Sequence, residues 1–134
     1  MKGDVLLQNI KVSGLVPLST GKKAKETKLL IREAVLTKLG KNISNVQKRC
    51  AGKQLSLSIA FYLHKTKYSK KDLSGLSDVV VKILGKDMSS KKDAMKGLEI
   101  VTEPSLICRV ILEKNLIKKD AKEEFSFSIY EWGQ

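Results

Sequence analysis

Between Leu55 and His64 every second residue is apolar: Leu55, Leu57, Ile59, Phe61 and Leu63 alternate with Ser56, Ser58, Ala60, Tyr62 and His64. A period of two places the first set on one face of a strand, and that face is predicted to lie on a core. The period then changes. Leu73, Leu76, Val79, Val80, Ile83 and Leu84 fall on one helical stripe with Asp78 and Lys82 opposite, and Gly85 follows where a helix would stop. A second helix is predicted over Lys25 to Leu39, with Leu29, Ile31, Val35, Leu36 and Leu39 on its apolar side and Gly40 just past its end. Looser alternation predicts a first strand over Val5 to Val12 and a last one over Phe125 to Tyr130. Leu98 to Val101 and Leu106 to Glu113 also read as strand, interrupted by Thr102-Glu103-Pro104-Ser105 because proline cannot donate to a central ladder.

The intervening segments are turn-rich or polar. Gly14, Pro17, Ser19, Thr20 and Gly21 mark a loop, and Gly40 to Lys53 reads as a polar connection. Lys86 to Lys96 is a Ser, Lys and Asp loop, and Lys118 to Glu124 is the expected hairpin loop into the last strand. The order strand, helix, strand, helix, strand, strand predicts an α/β or α+β fold: a small mixed sheet of about four strands with two main helices packed on it. A chain of 134 residues holds one ordinary core, so residues 1–134 are read as a single domain.

Charge adds the first functional signal. The chain has 26 Lys and Arg against 14 Asp and Glu, a net charge of +12, and the excess gathers at Lys22 to Lys28, Lys65 to Lys71 and Lys91 to Lys96. One-sided basic clusters of this kind are the electrostatic footprint of a nucleic-acid partner. No apolar run reaches the roughly 18 residues of a membrane span, and no segment pairs a basic face with Trp or Phe, so no membrane partner is expected. The N-terminus enters strand-like sequence at once instead of an apolar leader, which makes a cytoplasmic location the expectation. Cys50 and Cys108 have no metal-ligand spacing and read as buried thiols.

Lys22, Lys23 and Lys25 precede a helix, and Lys65, Lys67, Lys70 and Lys71 lie between the clean strand and the next helix. With Lys82 they are the candidate phosphate contacts. Asp72 and Asp78 stand directly behind the second cluster, so an anion steered to the lysines arrives at acids, an order suited to metal-assisted chemistry on phosphate esters. Structural readings stand beside these. Asp72 fits a helix N-cap, Asp78 and Lys82 fit an i to i+4 surface ion pair, and Glu103 fits a solubilising acid at a strand break. His64, the single histidine, has no neighbouring Cys or Asp with which to form a catalytic pair.

The segment Asp72-Leu73-Ser74-Gly75-Leu76 at the head of a helix resembles the Asp-Leu-Asp-Asn-Leu motif of the RusA-like Holliday junction resolvases of phages and prophages. The likeness extends over most of the chain, through the Ile10 to Ser19 strand and loop, Lys114 at a strand end, and the final strand Phe125-Ser126-Phe127-Ser128-Ile129-Tyr130-Glu131-Trp132. It implies a small homodimer acting in DNA recombination and repair, with acids that bind Mg2+ and cut branched DNA. On that resemblance the catalytic set is Asp72, Asp78 and Glu103, with Asp72 and Glu103 holding the metal. The chain departs from the motif at Ser74 and Gly75, where the family has an aspartate and an asparagine. Asp78 and Lys82 stand where the family has a lysine and an aspartate. Two expectations follow: a Mg2+-dependent endonuclease, or a catalytically silent relative that binds DNA or RNA or acts as an inhibitor.

Overall fold

The computed structural model describes residues 2–17, 24–65, 73–86 and 96–133. Along the chain these form β1 (Lys2–Ser13), α1 (Ala24–Leu39), α2 (Ile43–Cys50), β2 (Leu55–His64), α3 (Leu73–Leu84), β3 (Ile107–Ile117) and β4 (Glu124–Trp132). A 3-10 turn, Gly40–Asn42, joins α1 to α2, and another, Pro104–Leu106, leads into β3. The sheet has four strands in the order β1-β4-β2-β3. β4 is antiparallel to both neighbours and β3 is parallel to β2, so β1, β2 and β3 all point the same way. This is the mixed α+β sheet with two main helices that the periodicities predict.

The core follows from the pleat. Leu57, Ile59 and Phe61 of β2 stand opposite Ile129, Phe127 and Phe125 of β4, and none of the six is more than 2% exposed. The Phe61 and Phe125 rings meet at 6.0 Å and 37°, a tilted pair of the kind that adds about 0.5–1.5 kcal/mol beyond burial. Ile31, Val35 and Leu39 of α1 and Leu76, Val79, Val80, Ile83 and Leu84 of α3 cover this face. The opposite face of the same two strands carries Ser58, Ala60, Ser126 and Ser128.

Four local readings are corrected. The expected polar connection over Gly40 to Lys53 contains α2, whose Ile43, Val46 and Cys50 share a stripe narrow enough to be lost among polar neighbours; Val46 and Cys50 are buried. Leu98 to Val101 is not a strand. Its amides serve the C-terminal end of α3: Leu98 N–H donates to the Ile83 carbonyl at 2.8 Å, Glu99 to Gly85 at 2.9 Å, and Ile100 and Val101 to Leu84 at 2.8 Å. The last carbonyls of a helix have no partner within it, and here a buried apolar segment supplies them. The segment from Lys118 to Glu124 is not a hairpin loop, because β2 lies between β3 and β4. β3 takes the sheet edge instead, a place that suits its Arg109, Glu113 and Lys114 better than the centre would. Finally, Cys108 is exposed on that edge while Cys50 is buried.

Burial raises the Cys50 thiol pKa, against a smaller lowering from Lys53 and Arg49. A thiol held protonated and inside does not react. Titration of the native protein with a disulfide reagent near neutral pH is therefore expected to show one fast thiol, absent in Cys108→Ser, with the second appearing only on unfolding. Gly97 is a second test. A Cβ there would lie inside the van der Waals envelope of the Gly85 and Ile83 carbonyl oxygens, and backbone cannot step aside. Gly97→Ala is expected to cost about 1–3 kcal/mol in urea unfolding, the range of an overpacked site.

Candidate nucleic-acid interface

The parallel strands β1, β2 and β3 finish at one end of the sheet, and the helices that return from them begin there. α1 follows β1 and precedes the parallel β2, and α3 follows β2 and ends where Val101 leads toward the parallel β3, so both helices run away from that end. In open sheets of this kind ligands bind beyond the carboxyl ends of the strands.

Here β2 finishes in a clamp. His64 Nε2 lies 2.7 Å from the Ala121 carbonyl oxygen, and its backbone N–H donates to Glu123 Oε2 at 3.0 Å. The Nδ1 atom is 3.5 Å from Glu123 Oε1. A carbonyl only accepts, so Nε2 carries the hydrogen, and the ring is spent on fixing the crossing segment 118–123 over the sheet end. Gly14 completes the fastening: its N–H donates to the Glu123 carbonyl at 2.7 Å, at φ 79, and the Lys122 side chain lies against it.

Two acids of this end are occupied, while Asp120 is exposed in the crossing segment. Glu123 holds His64, and Glu124 pairs with Lys11 at 3.4 Å and accepts from Ser13 Oγ at 3.4 Å. Among the described residues Lys65, Lys118, Lys119 and Lys122 form no ion pair. Lys65, Lys118 and Lys119 line an open cavity of about 310 Å³ with Leu116 and Ile117. Four ammonium groups against the single exposed carboxylate of Asp120 at a sheet end leave a positive field that draws phosphate.

The predicted contacts divide. Lys65 belongs to this cluster, and Lys25 is exposed in the first turn of α1. Lys82 sits elsewhere, on α3 near Lys28 of α1: burial, and after it the charge of Lys82, holds the Lys28 pKa below the usual lysine range. Lys22, Lys23, Lys67, Lys70, Lys71 and Asp72 lie outside the described residues. Asp78 is exposed on α3 and makes no ion pair with Lys82 despite the i to i+4 spacing. Glu103 is exposed two residues past Val101, at the C-terminal end of α3. Leu73, the neighbour of Asp72, opens the same helix roughly 16 Å away along its axis at 1.5 Å per residue.

Magnesium is held by oxygen donors that converge in near-octahedral geometry. Among the described residues, which do not include Asp72, no three Asp, Glu, His or Cys side chains are grouped to hold a metal ion.

Sequence reasoning passed over Lys118, Lys119 and Lys122, although the adjacent pair Lys118-Lys119 in a connection between strands was a visible signal. Lys28 and Arg32, one turn apart on α1, gave none until α3 was placed beside them. The chain matches no family model, and no curated protein is similar to it.

The clamp makes a prediction. His64→Ala removes the ring's contacts with the Ala121 carbonyl and Glu123 Oε1 and leaves the backbone N–H on Glu123 Oε2, at a cost of about 1 kcal/mol for the lost hydrogen bond. Hydrogen exchange is expected to quicken over residues 118–123 while the amides of Phe125 to Ile129 keep their protection.

Proposed function

We propose that this protein binds nucleic acid, branched DNA in the first instance, through the lysines at the carboxyl end of its parallel strands. The observation that carries the reading is the set of cations Lys65, Lys118, Lys119 and Lys122, unpaired among the described residues, around a sheet end where Glu123 and Glu124 are engaged elsewhere and Asp120 is the one exposed acid of the crossing segment. Lys25, at the start of α1, extends the same surface. Contacts of this kind grip phosphates and carry no base code, so the affinity is broad in sequence and steep in salt.

The RusA-like resemblance supplies the finer part of the proposal: a homodimer, with hydrolysis of phosphodiesters dependent on Mg2+ and on Asp72 at the head of α3. The dimer has support in Val110 and Leu116, exposed by 45% and 47% on one face of the edge strand β3, where a partner would cover them. The second reading, a silent binder of DNA or RNA, has support in Ser74 and Gly75, which replace an acid and an amide of the family motif.

Binding of a labelled four-way junction and a matching duplex, each with Mg2+ or EDTA, tests both readings. Affinity is expected to fall as salt rises, with the log–log slope reduced by about 0.9 for each of Lys65, Lys118 and Lys119 changed to Gln. Cutting that needs Mg2+ and vanishes in Asp72→Asn would establish the nuclease. Tight binding without cutting in Mg2+ or Mn2+ would establish the silent form, and binding that ignores both salt and these lysines would overturn the proposal.

A further inference from the structure

α1 and α3 start at the same end of the sheet, run in the same direction and lie side by side. Their seam collects positive charge. Lys28 and Arg32 are one turn apart on one side of α1, and Lys82 of α3 is the neighbouring cation that, after burial, lowers the Lys28 pKa. Among the described residues none of the three forms an ion pair, and Asp78, one turn from Lys82 on its own helix, does not reach it.

Arg32 adds a stricter constraint. Its Nε atom is sealed from solvent with no acceptor, and it is the only such buried side-chain nitrogen or oxygen among the described residues. A buried donor of a charged group left unpaired is costly and calls for a specific explanation, such as an ion that occupies the site. Lys28 adds a separate cost, since its partial burial and the like charge of Lys82 both disfavour its ammonium form. An anion relieves both at once. The guanidinium edge that includes Nε presents two parallel N–H groups matched to two oxygens of a phosphoryl group, while ammonium groups supply charge without demanding a direction.

We propose that Lys28, Arg32 and Lys82 form a phosphate-binding site on the α1–α3 seam, with Arg32 engaging the phosphoryl oxygens and the two lysines neutralising them. The group bound is a backbone phosphate of the nucleic acid, so the source of the phosphate, though not the site itself, rests on the function proposed above. Both helices begin at the end of the sheet that carries the lysine cluster, and Lys82, in the last turn of α3, puts the seam site further along them. The site therefore fixes the direction of the bound nucleic-acid strand relative to the helices, which the sheet-end lysines alone do not.

The test uses the whole chain and two probes. Thermal unfolding is followed with inorganic phosphate against chloride at equal ionic strength, and binding of a labelled oligonucleotide is measured across a salt series. Wild type is expected to gain stability from phosphate over chloride. Arg32→Gln and Lys28→Gln should each weaken that response roughly tenfold, the loss of one charge-assisted hydrogen bond. Arg32→Lys, which keeps the charge and removes the fork, should weaken it as well. Lys82→Gln, at an exposed position where folding is not at stake, should lower the oligonucleotide salt slope by about one. A phosphate response with unaltered oligonucleotide binding in all variants would assign the site to free phosphate and overturn the backbone assignment. No phosphate response in wild type would overturn the site, even if the oligonucleotide binds; failure of the oligonucleotide to bind, with the phosphate response intact, would instead remove the nucleic-acid reading.

Discussion

The insertion of β4 between β1 and β2 is the constraint on which the rest of the molecule depends. β1 and β2 are parallel strands that share no hydrogen bond, and β4, antiparallel to both, supplies the ladder that makes them one sheet. It also brings Phe125, Phe127 and Ile129 onto the face that α1 and α3 cover, so without it the helices would have half a floor. The pairing is long-range in sequence: Val12 meets Phe125 and Leu57 meets Ile129. Such contacts are slow to form because a long loop must close before they give any return.

The same insertion explains what the chain disclosed and what it withheld. β2 and α3 were legible residue by residue, because a period of two and a stripe at helical spacing are each dictated by burial on a single face. Strand adjacency was not. Two predicted strands joined by a short polar segment suggest a hairpin, yet Lys118 to Glu124 crosses the end of β2, since which strand lies centrally is decided by the match of apolar faces over the entire sheet. Leu98 to Val101 misled for a related reason. An apolar run with β-branched residues has the composition of a strand, but its amides were claimed by the open carbonyls at the end of α3, a demand that becomes visible only when the helix end is in place. α2 was hidden by Asn42, Asn45 and Gln47 around its three apolar residues.

The candidate site shows the same limit in electrostatic form. A cluster in sequence, such as Lys65 to Lys71, can be read from the chain, and Lys65 does stand at the cationic end of the sheet. Clusters in space cannot be read that way. Lys118 and Lys119 join Lys65 through the crossing segment, and Lys28 meets Lys82 through helix packing. The acids redistribute too. Glu123 and Glu124 lie next to one another in the chain, yet one is taken by His64 and the other by Lys11, so a stretch of balanced charge in the sequence leaves an unbalanced surface in the fold. The +12 of the chain is thereby concentrated where neutralisation fails, and self-repulsion there is relieved most effectively by a polyanion.

The β1–β4 ladder has a mechanical corollary. Lys2 pairs with Trp132 at one end of the ladder and Ser13 with Glu124 at the other, so the outer ends of the two strands lie side by side. Tension that draws Lys2 and Trp132 apart loads the bonded pairs one after another, as in opening a zipper, and never the whole ladder at once. The sheet that resists heat through its phenylalanines would therefore yield to a small pulling force, and β1 would peel away first. The parallel β2–β3 pair, loaded along its strands through Leu55 and Ile117, would share the force across its full length and hold.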